Sequence, residues 1–111
     1  ALGTSGRLWA EPGRGVLDLL ADKWSALAIG ALENGALRFG ELKKRLMGIS
    51  PKVLTATLRR LEDRGLLTRE VFAEVPVRVE YSLTELGIDA ARPLRGLRDW
   101  VESNIERFPA V

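Results

Sequence analysis

Residues 38–69 read RFGELKKRLMGISPKVLTATLRRLEDRGLLTR, and the fold turns on how this stretch divides. Phe39, Leu42 and Leu46 recur at helical steps and mark a short helix that stops at Gly48. Ser50-Pro51 then opens another. A serine hydroxyl accepts from an amide that the first turn leaves free, and proline suits the first helical position because it has no N–H to leave unpaired. This second helix runs to about Arg64, stops at Gly65 and buries a stripe of Leu54, Leu58 and Leu61. Lys52, Thr55, Ala56 and Arg59 fall on its other side.

The same stretch holds nine basic residues (Arg38, Lys43, Lys44, Arg45, Lys52, Arg59, Arg60, Arg64 and Arg69) against three acids (Glu41, Glu62 and Asp63). That is a local +6 in a chain whose net charge is +2. Residues 1–37 carry −1 and residues 70–111 carry −3. A surface built only for solubility mixes its signs. A one-signed face is the electrostatic footprint of a protein that lies along the phosphates of a duplex.

Upstream, residues 1–13 are rich in Gly, Ser and Pro and read as an arm, with Trp9 its large apolar anchor. From Gly15, Val16, Leu19, Leu20, Trp24, Leu27 and Ala28 share one helical face until Asn34-Gly35 breaks the run. Trp24 and Met47 are expected in the core. Downstream of Leu66 the period becomes two: Val77, Val79, Tyr81 and Leu83 alternate with Arg78, Glu80 and Ser82. Leu67, Arg69 and Val71 form the partner strand, joined through Glu74-Val75-Pro76. Thr84 caps a last helix reaching residue 108, with an apolar seam of Ala90, Leu94, Leu97, Val101, Ile105 and Phe108 and with Trp100 beside it. Pro93 should kink or divide that helix. At about 24 residues it would span roughly 36 Å, longer than so small a domain needs. Dimerisation through Trp9, Leu94, Leu97, Trp100, Val101, Ile105 and Phe108 is therefore expected.

The order helix–helix–ribbon predicts a mainly α chain with a small β-hairpin, an α+β winged helix-turn-helix that dimerises through its terminal helices. It is read as one domain over residues 14–111, with the helix pair at 38–65, the wing at 66–84 and the dimerisation helix at 84–108. In such a unit the second helix enters the major groove and its N-terminal half meets base edges. Ser50, Pro51, Lys52, Thr55, Ala56, Thr57 and Arg59 are the residues placed to do so. Lys52 and Arg59 supply donors for guanine or phosphate, the threonines small two-way partners, and Ala56 a methyl contact for thymine. Arg38, Lys43, Lys44 and Arg60 are expected to hold phosphates. Pro76 and Arg78 at the wing would reach the adjacent minor groove or its backbone.

Composition narrows the alternatives. The 111 residues include neither cysteine nor histidine, which removes thiolate chemistry, the commonest general base and the commonest metal ligand. No catalytic residue, metal site or cofactor is expected. Glu74, Glu80 and Glu85 are not brought near a nucleophile by any pattern in the sequence. No signal segment opens the chain, and the longest apolar run, residues 26–32, is too short to span a bilayer, so a cytoplasmic location is expected.

Residues 38–69, followed by EVPVRVEYSLTELG at 74–87 and preceded by VLDLLADKW at 16–24, resemble the HxlR-type family of bacterial and archaeal transcription regulators. The likeness spans roughly residues 11–101. It implies a winged helix-turn-helix homodimer, related in architecture to the MarR group. The helix opened by Ser50 would be its recognition helix and the ribbon around Pro76 its wing, on a pseudo-palindromic operator. Many family members carry Cys-Pro thirteen residues before the Trp of the Lys-Trp pair, and some sense oxidants with that thiol; Glu11-Pro12 stands there in this chain. Thiol sensing does not carry over, and an effector, if one acts, is a small molecule the sequence does not name. The rival reading is a winged-helix adaptor that binds an acidic protein surface and no DNA.

Overall fold

The first helical run divides at Asp22, which apolar periodicity does not anticipate. In the computed structural model, which describes residues 10–11 and 13–110, α1 spans Gly13–Ala21 and α2 spans Lys23–Ala31. Asp22 between them is extended (φ −66°, ψ 133°), and its carboxylate accepts from the Ser25 amide at 3.1 Å. A carboxylate in that position satisfies an amide the first turn leaves free, so a second helix starts there. The break re-phases the apolar face. Ser25, Ala28 and Ile29 of α2 are buried, whereas Val16 and Leu27, expected on the inner side, are exposed.

Helix α3 (Phe39–Arg45) begins where the Glu41 side chain accepts from the Arg38 amide at 2.9 Å. The turn that follows contains Gly48 at φ +90°, a left-handed value that favours glycine. Leu46 and Ile49 fill the inner side of this turn at 4% exposure each, which leaves Met47 outside at 85%; it is not core. Helix α4 (Pro51–Asp63) starts as the sequence indicates, with the Ser50 hydroxyl accepting from the Val53 amide at 3.1 Å. It ends in a Schellman motif: Gly65 (φ +76°) donates to the Glu62 carbonyl and Leu66 to that of Leu61. Leu54, Leu58 and Leu61 are each at most 2% exposed. At about 1.5–3 kcal/mol per buried leucine, this stripe fixes which side of α4 faces solvent.

Strands β1 (Leu67–Phe72) and β2 (Arg78–Leu83) pair antiparallel, with Leu67 opposite Leu83, Arg69 opposite Tyr81 and Phe72 opposite Arg78. Leu37 exchanges both backbone hydrogen bonds with Tyr81, at 3.0 and 2.8 Å, which ties the ribbon's base to the start of α3. Thr84 joins three elements. Its hydroxyl accepts from the Gly87 amide and donates to the Gly65 carbonyl, so the end of α4, the ribbon and α5 (Glu85–Asn104) meet at one side chain.

Helix α5 runs through Pro93 undivided and stops at Asn104, with one 3₁₀ turn beyond it at Ile105–Arg107. Its 20 residues correspond to about 30 Å, shorter than the sequence suggests. Glu33, just past α2, clamps α5 to the core. It accepts from Arg95 at 2.9 and 2.6 Å and from Arg98 at 2.9 Å. Burial pushes the Glu33 carboxyl up, but the Arg98 and Arg95 hydrogen bonds and charges together outweigh it and hold its pKa below the usual carboxylate range. Among the described residues no helix is long and apolar enough to cross a membrane.

Candidate nucleic-acid interface

With its leucine stripe facing inward, α4 presents Lys52, Ala56 and Arg59 to solvent, one turn apart on one face, with Thr55 half-buried at their flank. These four and Pro51 line a single shallow depression. Ser50 stands at the start of this face and spends only a lone pair on its cap, so its O–H remains a donor. The Thr55 hydroxyl donates to the Pro51 carbonyl at 2.8 Å. Its proton is thereby committed, and what it offers a neighbour is an acceptor and a methyl group.

Arg38, Lys43 and Lys44 are exposed at the two ends of α3. Neither they nor Lys52 nor Arg59 has a carboxylate within ion-pair distance among the described residues. Lys43 and Lys44 also complement the negative end of the α3 dipole, a structural role compatible with holding a phosphate.

Three expected contacts do not belong to this face. Thr57 is wholly buried and its hydroxyl has no partner among the described residues, so it cannot reach a base. Position 57 lies three residues after Leu54 and four before Leu61, which puts it inside the buried stripe. Arg60 projects toward the α1–α2 junction, 3.9 Å from the Asp22 carboxylate. Arg78 is committed within the wing: its guanidinium pairs with Glu74 at 2.7 Å and Glu80 at 3.0 Å and lies 3.9 Å from the Phe72 ring centre. Two carboxylates cancel its charge, so it is not a free cation for a phosphate. Pro76 is exposed at the wing tip beside Val75 and Val77.

Sequence reasoning omitted Arg69 from the site. On β1 it is exposed and lines, with Arg59, a hollow between α4 and the ribbon. Its membership in the basic cluster was the available signal, and only the hairpin register brings it beside α4.

The proposed dimer face also splits. Leu94 is 9% exposed and belongs to the domain's own core with Ala91. Leu97, Trp100, Val101, Ile105 and Phe108 are exposed, at 59, 52, 39, 58 and 51%. Trp100 and Phe108 meet edge to face, 5.9 Å between ring centres. Trp9 lies outside the described residues. No group of three or more acidic side chains that could hold a metal ion occurs among the described residues.

The family described as HxlR-like helix-turn-helix matches residues 19–109. The chain belongs to this family. Its relatives include the uncharacterized HTH-type transcriptional regulator YtfH of Escherichia coli (strain K12), 40% identical over 108 residues that cover 96% of this chain and 86% of that protein. An uncharacterized HTH-type transcriptional regulator of Methanothermobacter thermautotrophicus is 46% identical over 81 residues, 73% of this chain and 62% of that one. Among solved structures, ytfH from Salmonella typhimurium, described as a transcriptional regulator, has a TM-score of 0.85 at 39% identity, covering 91% of this chain and 92% of its own. The redox regulator HypR in its oxidised form has a TM-score of 0.78 at 36% identity, covering 84% and 96%. The fold, with five α-helices and a two-stranded antiparallel ribbon among the described residues, is that of winged-helix transcriptional regulators.

Proposed function

We propose that this protein, a DNA-binding transcriptional regulator by family, acts as a homodimer that reads a pseudo-palindromic operator with α4. The carrying observation is the face built from Lys52, Ala56 and Arg59 and opened by Ser50, together with Arg38, Lys43 and Lys44 of the preceding helix, all exposed and none in an ion pair among the described residues. Lys52 and Arg59 donate to guanine edges or phosphate, and Ala56 and the Thr55 methyl meet thymine methyls. With its proton committed to Pro51, Thr55 favours a base that offers an amino group, adenine or cytosine.

Exposed apolar side chains from Leu97 to Phe108 support pairing of two copies along α5. A two-fold axis there sets two α4 helices on successive major grooves, about 34 Å apart. The protein works in the cytoplasm, where its DNA is. Catalysis has no part in this reading.

Fluorescence anisotropy with duplex DNA from upstream of the protein's own gene tests it, run at two salt concentrations with sedimentation on the same samples. The expected result is one dimer per site, at least about 10³-fold tighter than on random duplex. No binding even at low salt, with capture of an acidic protein instead, would replace it with the adaptor reading.

A further inference from the structure

Helix α5 changes character after Leu94. Its buried residues are Gly87, Ala91 and Leu94, and from Arg95 to Ser103 every residue is exposed except Arg98, which is half-buried. Apolar burial therefore does little to hold this half of the helix to its own domain. What reaches it is Glu33, just past α2. One carboxylate oxygen accepts from Arg95 Nε and Nη2 at 2.9 and 2.6 Å, and the other from Arg98 Nη2 at 2.9 Å. The Arg98 guanidinium also lies against the α2 backbone at Gly30, where a Cβ would stand 2.7 Å from Nη1. A side chain at position 30 would push it aside. Only 15% of the Glu33 side chain is exposed, so solvent screens this contact less than it does a pair on the open surface.

The other end of this link is the reading helix. Ala28 and Ile29 of α2 share one buried cluster with Leu54, Leu58 and Leu61 of α4, and a packed interior yields little. Helices α2 and α4 thus move as one body. Leu97, Trp100 and Val101, by contrast, belong to the exposed strip in the half of α5 that the clamp secures. We infer that Glu33 is the positioning residue that sets the spacing of the two α4 helices in a dimer, because it ties the α2–α4 body to the half of α5 that meets the partner copy. This role rests on the pairing along α5 proposed above. Two helices on successive major grooves tolerate little error: one extra base pair between half-sites shifts them by about 3.4 Å and turns them by about 35°. A loosened clamp lets the two bodies follow that change, and an intact one does not.

The chain has no cysteine, so Asp63→Cys at the end of α4 takes one spin label per protomer, and pulsed EPR reads the α4–α4 distance in the full chain without DNA. In that background the parent is expected to give one narrow distance and Glu33→Gln a broader or displaced one. Gly30→Ala favours the helix and keeps Glu33 but moves Arg98, and is expected to broaden the distance less. Circular dichroism and sedimentation check that each is a folded dimer; if Glu33→Gln does not fold, Gly30→Ala decides by the same readouts. In a second arm the unlabelled proteins are titrated against the operator duplex from upstream of the protein's own gene, and against that duplex with one base pair inserted between its half-sites. The parent binds the longer duplex more weakly, and in Glu33→Gln the ratio of the two Kd values shrinks about threefold or more, the low end of coupling within one hydrogen-bond network. Loss of folded protein affects both titrations alike and cancels from the ratio. An equally narrow, undisplaced distance in Glu33→Gln, or an unchanged Kd ratio, overturns the role of Glu33 and leaves the dimer standing. A parent without dipolar coupling is a monomer, which overturns the dimer and the positioning role together. A narrow parent distance that Glu33→Gln broadens, in a protein that holds no DNA, leaves Glu33 in its role and fells the DNA reading of α4 instead.

Discussion

Replacing Lys44 and Arg78 in turn measures which cations the DNA meets. Six site cations, Arg38, Lys43, Lys44, Lys52, Arg59 and Arg69, are free of ion pairs among the described residues, while Arg78 is held by Glu74 and Glu80. The proposed dimer therefore offers up to twelve contacts, and the slope of log K against log salt has a limit of about −11, at about −0.9 per phosphate neutralised. Lys44→Ala removes one cation per protomer, so the slope flattens by about 1.8. Arg78→Gln removes a charge already cancelled by two carboxylates, and its slope should move by less than about 0.5. The assay is anisotropy of a labelled operator duplex at four or more salt concentrations between roughly 50 and 200 mM, with circular dichroism confirming that both variants are folded. An unchanged slope in Lys44→Ala together with a flattened one in Arg78→Gln would refute the reasoning, because it would put the wing and not α3 on the phosphates.

The packing sets five further outcomes. A Cβ at Gly87 would run into the Leu66 carbonyl, which is pinned by the Thr84 amide. Gly87→Ala should thus cost about 2 kcal/mol despite alanine's helix preference, read as a Tm loss of roughly 8–16 °C; Gly40→Ala, where nothing lies within 4 Å, should gain up to about 1 kcal/mol. Because the folded-state pKa of Glu33 is lowered, its clamp stabilises fully above the ordinary glutamate range and is lost as pH falls through the folded value. Urea midpoints measured across the acid limb should show a shallower decline for Glu33→Gln, and a less stable protein at neutral pH by about 1–2 kcal/mol. Leu97→Glu places a charge in the exposed α5 strip and should give monomers by sedimentation with an intact far-UV spectrum. Thr57→Val removes a buried hydroxyl that has no partner among the described residues, so stability should rise by about 1 kcal/mol with operator affinity unchanged; a loss of affinity would return Thr57 to the interface.

Legibility tracked how local each signal was. Helix α4 could be read almost residue by residue, since a cap, a first-position proline, three leucines at helical spacing and a terminal glycine all lie within sixteen residues. The α1–α2 break was missed because apolar residues continue at helical spacing across it. The one contrary signal, Asp22 three residues before Ser25, looks like an ordinary surface acid until its carboxylate is seen on the Ser25 amide. Met47 looked like core because it is apolar and sits between Leu46 and Ile49, yet two side chains already fill the inner side of that turn. In α5 the seam keeps one period from Ala90 to Val101, while its surroundings change beyond Leu94, where the domain's own core stops. Periodicity reports a face, not what covers it.

The site shows the same division in its charges. A basic residue read from sequence is a charge without a partner, and the structure decides whether it keeps that status. Arg59 and Arg60 are adjacent in the chain, yet the 100° step of the helix sends one to the solvent face and the other toward Asp22. Arg78 had a visible warning: in a strand of period two it shares a side with Glu80, and Glu74 is four residues back across the turn. Removing Arg60 and Arg78 concentrates the available charge on α3 and the outer face of α4. Among the described residues the wing then contributes one cation without an ion pair, Arg69, at its base, and an apolar tip of Val75, Pro76 and Val77. In the proposed complex, attraction to a duplex then comes mostly from the helix pair with Arg69 beside it, and what the wing tip adds is shape and apolar contact.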